Sequence, residues 1–537
     1  MKILFFLIKN ILKIIYYLLK LIKKLFLIIF IILIILFLNI YIKKPLQNIN
    51  EKTALLFNIN GIIVENKNID NSWNKFGFKL WDINNGKIIK NILFNIIKII
   101  RLSKNNKNII GIILKLNNFL GTDQISLEYI GKALNEFKKS GKPVYAVSNN
   151  YNQSQYYLAS YANVIYIYPK GLIDLYGLYN DKFYYKSLFN KLKINSHIFR
   201  VGFEKNAIES NICDNIPNKT KQLENKWLKK LWLNYIDDIS KNRKIKLCNI
   251  IPNINEFFKK TNKINNINKY NLKKKLVDKV LSPFKIKSNF IKIFGFNKYK
   301  NNFKFLNFYN YKIKESFEKS YEISVIFING KIINSTIISE KLKKARLNPN
   351  VKAVILKINS PGGNIIASEN IRIEVSNLRF SNKPVITSMG NLSASGGYWI
   401  SIPSNIIIAD KSTITGSIGV FNIINTYEKT LNLLGINYDG SNIFPTLNFK
   451  INKSLSPYTS KLIELNIKNG YEYFIKLISK NRQLTPKEIN NISQGRIFIG
   501  KEAKYNKLID KIGDFDDAVK QAVKLSKLKN WHLHWIN

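Results

Sequence analysis

The sequence predicts an α/β protein in which one α/β domain occurs twice in tandem, behind an N-terminal transmembrane helix. Three observations indicate this fold class. Short β-branched runs alternate with helical stretches through most of the chain, which is the pattern of α/β domains. Short motifs recur in the same order about 242 residues apart, as at Ile112 and Val354. An apolar run over 25–42 precedes both copies.

The apolar run 25–42 is long enough to span a bilayer, and Asn39 is its main interruption. Lysines are more frequent before it than immediately after it, so the positive-inside rule predicts a cytoplasmic segment over 1–24 and an exported C-terminal part. Within that basic segment, apolar residues with spaced lysines predict a helix lying along the membrane surface. No small-residue cleavage site follows the run, which argues against a removed signal peptide.

Length and composition narrow the class of protein. A chain of 537 residues is too long for one ordinary domain. The net charge of +51 reflects lysine enrichment along the whole chain, without a nucleic-acid-binding motif, so no nucleic-acid partner is expected. Cys213 and Cys248 are the only cysteines, and they could pair in an oxidising compartment. Three histidines and no CxxC motif make a zinc site an unfavourable interpretation.

The internal repeat defines the domain organisation. The first copy is predicted over 53–285 and the second over 321–537, with a Lys-, Asn- and Phe-rich connector over 286–320. The recurring motifs are 57–63 with 327–333, 112–117 with 354–359, 142–144 with 383–385, 156–163 with 398–405, 192–195 with 434–437, and 275–280 with 507–512. Their constant order indicates two copies of one domain.

Ser395 is the candidate nucleophile. An apolar run over 383–389 predicts a strand before it, and Gly396 and Gly397 follow it at the start of a predicted helix. Two glycines allow a sharp turn that leaves the hydroxyl uncrowded, and a helix N-terminus points free N–H groups at the reacting group. The alternative interpretation is a serine that caps the helix.

The two copies differ at this position. Gln153 in the first copy aligns with Ser395, and Ser154 and Gln155 align with the two glycines. The loop 360–363, with the sequence Ser-Pro-Gly-Gly, aligns with Asn-Phe-Leu-Gly over 118–121. The first copy has therefore lost the features that a nucleophile needs, which predicts one functional copy and one supporting copy.

A serine hydroxyl needs a base to become a good nucleophile. His532 and His534 lie within the last six residues and His197 lies in the first copy, so a Ser-His pair is difficult to build. A buried lysine can serve instead, because desolvation lowers the pKa of its amine. The chain contains so many lysines that composition cannot select one.

The motifs, taken in order, resemble the long, duplicated form of the bacterial signal peptide peptidase A family, also called protease IV. The residues that carry the resemblance are 200–209, 360–363, 390–399, 415–419, 495–500 and 513–518. The resemblance implies two ClpP/crotonase-like domains and a serine/lysine dyad. The family's nucleophile falls on Ser395 and its general base falls on Lys205 in the first copy. The second copy has no lysine over 442–449, where its own equivalent would lie.

Other groups near this dyad are candidates for supporting roles. Backbone N–H groups of Gly362 and Gly363, with Gly396 close by, are candidates for the oxyanion hole and for substrate binding. Ser417 lies in a loop that would line the same cleft and orient Lys205. Two residues depart from the family pattern. Ser393 stands where alanine is usual, and Glu204 would weaken the base if it faced the Lys205 amine.

The expected activity is that of a membrane-anchored serine endopeptidase that degrades cleaved signal peptides and other short, apolar, extended peptides. The resemblance implies a homotetramer, no cofactor and no metal. It places the protein in the bacterial inner membrane, with a single pass, a cytoplasmic N-terminus and periplasmic catalytic domains. Two alternatives stay open: a catalytically silent membrane-anchored scaffold, and a crotonase-like acyl-CoA enzyme.

Overall fold

The N-terminal helix precedes two folded copies. The structure is a computed structural model that describes residues 2–42, 51–66, 88–250, 267–311, 313, 320–441, 443 and 450–536. The helix α1 runs over Lys2–Ile42, and its side chains are described at 16–35 and 37. Within these described residues, no helix has an apolar stretch of sufficient length to cross a membrane. The predicted span 25–42 extends to side chains outside this set and stays a prediction.

The first copy alternates short strands with helices. Its described strands are β1 (Thr53–Asn58), β2 (Gly61–Val64), β3 (Lys90–Ile92), β4 (Ile109–Lys115), β5 (Phe119–Gly121), β6 (Val144–Ser148), β7 (Val164–Ile167), β8 (Asn195–Val201), β9 (Lys279–Val280), β10 (Phe296–Asn297), β11 (Asn302–Phe303) and β12 (Phe305–Asn307). Its described helices are α2 (Leu93–Asn105), α3 (Gln124–Lys138), α4 (Gln153–Ser160), α5 (Lys186–Lys191), α6 (Glu209–Ile212), α7 (Asn218–Arg243), α8 (Leu247–Ile250), α9 (Ile267–Lys273) and α10 (Pro283–Phe294), with 3₁₀ turns at Asn206–Ile208 and Phe308–Asn310.

The second copy repeats this alternation. Its described strands are β13 (Tyr321–Asn329), β14 (Val351–Ser360), β15 (Val385–Ala394), β16 (Ile406–Ala409), β17 (Ile414–Gly416), β18 (Val420–Thr426), β19 (Ile497–Ile499), β20 (Lys511–Ile512) and β21 (Trp531–Ile536). Its described helices are α11 (Thr336–Leu347), α12 (Ile365–Phe380), α13 (Gly396–Ser401), α14 (Glu428–Leu433), α15 (Pro457–Arg482), α16 (Pro486–Ile492), α17 (Gly500–Tyr505) and α18 (Phe515–Ser526).

The two main sheets have the same strand order, which confirms the duplicated α/β architecture. The first sheet runs β12-β1-β4-β6-β7-β9, and the second contains the corresponding series β21-β13-β14-β15-β16-β20, with all neighbouring pairs in these series parallel. The central strands β4 and β14 are buried along most of their length, as expected for parallel strands that are covered on both faces. Towards its end, β15 pairs with β17 instead of β16 while it still pairs with β14 at Ser393, and its last residue, Ala394, precedes the turn at Ser395.

Most of the predicted connector 286–320 belongs to the first repeat in the structure, so the predicted boundary of that repeat is too early. Most of α10 and the edge strand β12 lie within it, and β12 pairs with β1 as β21 pairs with β13. Each repeat therefore ends with a helix and a parallel edge strand. The Lys- and Asn-rich composition of this segment does not predict a strand, because the partner strand β1 lies about 250 residues away in the chain. Within the predicted connector, residues 312 and 314–319 are outside the described part of the structure.

The two copies are joined by a ribbon and by a charged cluster. Strand β8 of the first copy pairs antiparallel with β18 of the second, from Val201 opposite Val420 to Asn195 opposite Thr426. Elsewhere, the Asp516 carboxylate accepts hydrogen bonds from the Arg101 guanidinium at 2.5 Å, from the Lys132 amine at 2.8 Å and from the Tyr129 hydroxyl at 2.6 Å. Neither contact depends on the two cysteines, which are free thiols.

Replacing Asp516 by asparagine is expected to loosen the contact between the copies. The change removes the negative charge that three donors of the first copy share. We expect the free energy of unfolding to fall by about 2 kcal/mol, less than for a fully buried pair because solvent screens this half-buried cluster. Chemical denaturation of both proteins checks this value. Asp439→Asn is the control, because Asp439 pairs with Lys453 on an open surface and should change stability little.

Candidate active site

Ser395 occupies a sharp turn between β15 and α13. Its backbone has φ 54° and ψ −117°, an unfavourable conformation for a residue with a Cβ. The Ser395 N–H donates to the carbonyl oxygen of Gly416 at 2.9 Å, and its own carbonyl accepts from the Trp399 N–H at 2.8 Å. Ser395 stands at the N-cap position of α13, but its side chain makes no capping hydrogen bond. The hydroxyl is therefore available for another role.

The two residues after Ser395 must be glycine, because neighbouring atoms leave no room for a Cβ. A Cβ at Gly396 would lie 2.5 Å from the Ser368 hydroxyl oxygen, and a Cβ at Gly397 would lie 2.9 Å from the carbonyl oxygen of Ser360. Both distances are shorter than nonbonded carbon–oxygen contacts allow. The Ser-Gly-Gly sequence thus lets α13 begin directly against the glycine loop 360–363.

Lys205 of the first copy reaches Ser395 of the second. Its Nζ lies 2.9 Å from the Ser395 Oγ, 2.6 Å from the carbonyl oxygen of Ser417 and 2.9 Å from the Ser417 Oγ. The Lys205 residue is only 3% exposed. The structure therefore brings together the three side chains that the sequence assigns to nucleophile, base and orienter, and Ser417 contacts the amine through two atoms.

Burial lowers the pKa of the Lys205 amine from its ordinary value of 10.5 to about 7. The cause is desolvation, which disfavours the charged ammonium. The neighbouring Glu204 does not bind this amine. Its carboxylate instead accepts hydrogen bonds from the Arg496 guanidinium at 2.9 and 3.1 Å. Near neutral pH, a substantial fraction of Lys205 is therefore uncharged and able to accept a proton.

The ribbon between the copies explains how a distant lysine arrives here. Strand β8 ends at Val201, opposite Val420, and the chain turns at Gly202 towards Lys205. On the partner strand, the chain enters the ribbon directly from the Ser417 loop. The antiparallel register thus sets Lys205 and Ser417 at the same end of the ribbon, beside the turn that carries Ser395.

The Gly363 N–H of the glycine loop lies close to the nucleophile turn and has no hydrogen-bond partner in the part of the chain that the structure describes. The Ile332 N–H donates to the carbonyl oxygen of Gly362, and the Ile332 carbonyl accepts from the Asn364 N–H. In extended chain, successive N–H groups alternate sides, so the Gly363 N–H points away from Ile332. The first N–H of α13, at Gly396, is unused by the helix itself. Gly363 and Gly396 are thus the geometric candidates for oxyanion donors.

Gly362 lies against the nucleophile turn, and its N–H already has a hydrogen-bond partner. Its N–H already donates to the Ser360 hydroxyl at 3.1 Å, so it is not a free oxyanion donor. Its φ of 94° suits glycine, and a Cβ here would lie 2.5 Å from the Gly396 nitrogen and 2.8 Å from the Ser395 Cβ. The absence of a side chain at Gly362 keeps the space in front of the nucleophile open.

The corresponding position in the first copy is closed by side chains. The Gln153 Oε1 accepts from the Gly177 N–H at 2.8 Å. The Gln155 amide donates to the carbonyl oxygens of Leu116 and Phe119 at 2.9 and 2.8 Å. These hydrogen bonds occupy the turn that holds the nucleophile in the second copy. The described part of the first copy contributes its lysine to the site rather than a second nucleophile.

Sequence reasoning missed several residues that shape the site. Ser368 packs under Gly396, and nothing in the sequence pattern marks it. Gly495 and Arg496 belong to a motif that carries the family resemblance, but their contacts with the Lys205 loop were not foreseen. The departure at Ser393 places a hydroxyl in a fully buried position, where no partner for it is found among the described residues.

The sequence is similar to known proteins over most of its length. The model of peptidase family S49 matches residues 136–263 and 377–529. Protease 4 of Salmonella typhi is 42% identical over 492 residues, covering 90% of this chain and 80% of the relative. Protease 4 of Haemophilus influenzae is 35% identical over 488 residues, covering 88% and 79%. The chloroplastic serine protease SPPA of Arabidopsis thaliana is 27% identical over 423 residues, covering 73% and 60%.

Two solved structures are also similar to parts of the chain. A mutant of ClpP1 from Listeria monocytogenes matches with a TM-score of 0.26 and 16% identity, covering 36% of this chain and 94% of its own. A mutant of the membrane-bound stomatin-specific protease 1510-N matches with a TM-score of 0.28 and 17% identity, covering 41% and 99%.

The fold, the site and the relatives define a serine endopeptidase. The chain belongs to peptidase family S49, and it has the tandem organisation that the sequence predicts. The resemblance to signal peptide peptidase A is thereby confirmed.

Proposed function

We propose that the chain is a membrane-anchored endopeptidase with two ClpP/crotonase-like domains, in which Ser395 and Lys205 form a catalytic dyad across the two copies. The observation that carries this proposal is the 2.9 Å contact between the Lys205 Nζ and the Ser395 Oγ. The burial of Lys205 supports it, because a charged lysine could not act as a base. The carbonyl and hydroxyl oxygens of Ser417 accept hydrogen bonds from the same amine, which holds it next to the Ser395 hydroxyl.

The proposed reaction proceeds through an acyl-enzyme. The Ser395 Oγ attacks the scissile carbonyl carbon while the Lys205 Nζ accepts the hydroxyl proton. The C–N bond then breaks, and the Lys205 ammonium returns the proton to the leaving amine. A water molecule attacks the ester, again giving its proton to Lys205, and the dyad is restored when Ser395 regains that proton. The N–H groups of Gly363 and Gly396 would stabilise the oxyanion in both halves of the reaction.

We propose signal peptides and other short, apolar, extended peptides as substrates. The family resemblance suggests this class, and the surface around the glycine loop suits it. Three exposed isoleucines lie shortly after Ile332 and Gly363 in the chain, two residues that form a β-bridge. They are Ile333, Ile337 and Ile366, which are 74%, 64% and 72% exposed. Apolar side chains of an extended peptide could bury this surface, whereas a folded protein could not lay a strand along the loop.

The location and assembly follow from the same resemblance. The N-terminal segment would cross the bacterial inner membrane once, with a cytoplasmic N-terminus and both copies in the periplasm. We propose a homotetramer. The short helices α5 and α14 support it, because neither contains a buried residue and apolar side chains such as Leu188 and Leu433 are exposed.

A cleavage assay on the full chain in detergent tests this function. We expect the protein to cut an unfolded apolar peptide with the sequence character of a signal peptide and to leave a folded protein intact. Ser395→Ala should abolish the cut. An acyl-CoA thioester offered in parallel should not be hydrolysed faster than by Ser395→Ala. Turnover of the thioester without peptide cleavage would favour the acyl-CoA alternative, and inactivity on both would favour the scaffold.

The activity should rise with pH through the pKa of Lys205. Only the neutral amine accepts the serine proton, so kcat/KM is expected to increase tenfold per pH unit below about 7 and to level off above that value. The measurement is the initial rate on one peptide in buffers of constant ionic strength. A profile that is flat between about pH 5 and 8 would exclude Lys205, with this pKa, as the base.

A further inference from the structure

An ion pair joins the two copies at the residue that precedes the base in the chain. The Arg496 guanidinium of the second copy holds the Glu204 carboxylate of the first copy through two hydrogen bonds, Nη2 to Oε1 at 2.9 Å and Nε to Oε2 at 3.1 Å. Glu204 immediately precedes Lys205. Its side chain is 11% exposed, so the pair is partly shielded from solvent on the carboxylate side. This two-pronged geometry is the strong form of an arginine–carboxylate contact.

The same short segment of the second copy touches both loops that define the base. We name residues 494–496 the clamp segment. The carbonyl oxygen of Gln494 accepts from the Glu204 N–H at 2.8 Å, and that of Arg496 accepts from the Ser417 N–H at 2.7 Å. A Cβ at Gly495 would lie 2.4 Å from the Lys205 backbone nitrogen. The clamp segment therefore lies between the Lys205 loop and the loop that receives the Lys205 amine.

The clamp segment is itself anchored away from the site. The Gln494 side-chain amide donates to the Asn490 Oδ1 at 2.7 Å and to the Tyr471 hydroxyl at 3.2 Å. Tyr471 lies on α15 and Asn490 on α16, so two helices of the second copy support the segment. A displacement of the clamp segment would move the backbone that carries Lys205.

The carboxylates closest to Lys205 in the chain are each held by another residue, and Arg496 holds one of them. The amine itself contacts only the hydroxyls of Ser395 and Ser417 and one carbonyl among the described residues. Two carboxylates lie nearby in the chain. Glu209 accepts from the Thr220 hydroxyl at 2.7 Å, and Glu204 is bound by Arg496. The helices behind the clamp segment present the neutral Tyr471 and Asn490 to it.

We propose that Arg496 is a positioning residue, which holds the Lys205 loop against the second copy and keeps the negative charge of Glu204 away from the Lys205 amine. This inference rests on the proposed role of Lys205 as the base. Without Arg496, the Glu204 carboxylate would be free to approach the ammonium form and stabilise it. Glu204, which departs from the family pattern, is thus compensated by an arginine of the other copy.

The test is the pH dependence of the reaction of Ser395 with a fluorophosphonate, measured on the full chain in detergent. For Arg496→Gln we expect the midpoint of the rate profile to move up by roughly half a unit or more, with a loss of about twofold to threefold at pH 7. The double variant Glu204→Gln with Arg496→Gln should return the midpoint to the wild-type value, because it removes the released charge. Arg496→Lys should retain most of the wild-type profile.

The control variant is Arg101→Gln, which breaks another arginine–carboxylate contact between the copies, far from Lys205 in the chain, and should leave the midpoint unchanged. An unchanged midpoint in Arg496→Gln would overturn the inference, as would a shift that persists in the double variant. If the rate profile of the wild-type protein had no midpoint near pH 7, Lys205 would not be the base. This outcome tests the proposed dyad by itself, because it is read from the wild type before any variant is compared.

Discussion

Replacing Lys205 by methionine is expected to abolish peptide cleavage without lowering the stability of the fold. Methionine fills a similar volume but cannot accept the serine proton. General-base catalysis typically contributes about 10²- to 10⁴-fold, so we expect kcat/KM to fall by about 10³-fold or more. The free energy of unfolding is expected to rise, because a buried amine with a lowered pKa opposes folding. Peptide cleavage and chemical denaturation, measured on the same preparations, check both effects.

The difference in stability between wild type and Lys205→Met should depend on pH. Between pH values of about 7 and 10.5, the unfolded chain binds a proton at this lysine and the folded chain does not. The contribution of Lys205 to the free energy of unfolding therefore rises with pH in this window. We expect the advantage of the variant to be largest below pH 7 and to shrink as pH rises. An advantage that does not change with pH would contradict the lowered pKa.

Lys142→Met is the matched control for this change. Lys142 also has a pKa that burial lowers, and its amine donates to the carbonyl oxygens of Ser103, Lys104 and Asn106 within the first copy. None of these three partners belongs to the candidate active site. We expect this variant to lose some stability and to keep its peptidase activity. Equal activity losses in the two lysine variants would mean that the effect of Lys205→Met is not specific to the dyad.

Replacing Gly362 by alanine is expected to lower activity by about 10²-fold or more. The new methyl group would lie 2.5 Å from the Gly396 nitrogen, in the space where the oxyanion is expected to bind. Loss of one oxyanion donor alone costs about 10²- to 10³-fold. The φ of 94° adds backbone strain of about 1–2 kcal/mol. The measurement is kcat/KM on the apolar peptide, with the melting temperature of each protein recorded beside it.

Gly435→Ala is the control that separates two effects of Gly362→Ala, the blocked oxyanion site and the backbone strain. Gly435 also has a positive φ, at 72°, but a Cβ there would have no atom of the described residues within 4 Å. This variant should lose a similar amount of stability from strain and retain its activity. If Gly362→Ala were as active as Gly435→Ala, the oxyanion site would have to lie elsewhere.

The nucleophile and the duplication are visible in the sequence because they depend on local patterns. Ser395 is marked by a strand, two glycines and a helix within a short stretch, and the repeat is marked by motifs in a constant order. The loss of the nucleophile in the first copy is equally readable, because Gln153 stands at the aligned position. These features need no knowledge of which distant segments meet.

The base and its surroundings depend on contacts between distant segments. Lys205 is buried with only hydroxyl and carbonyl oxygens as hydrogen-bond partners among the described residues, whereas the similarly buried Lys357 pairs with Glu65. This environment of Lys205 arises from the β8–β18 ribbon and the clamp segment, which no local pattern reveals. The family resemblance, rather than composition, indicates Lys205. For the same reason the sequence predicts a connector where the edge strand β12 lies, and no sequence pattern indicates the hydrogen bond that occupies the Gly362 N–H.

The measurement that most directly tests the cross-copy dyad is the rate at which a fluorophosphonate modifies Ser395, with the modified residue identified by peptide mass spectrometry. Wild type, Lys142→Met and Lys205→Met would be compared at a pH of about 8, as full chains in detergent. We predict modification of Ser395 at similar rates in the first two proteins and a loss of about 10³-fold in Lys205→Met. Modification of Ser395 in Lys205→Met at the wild-type rate would contradict the dyad.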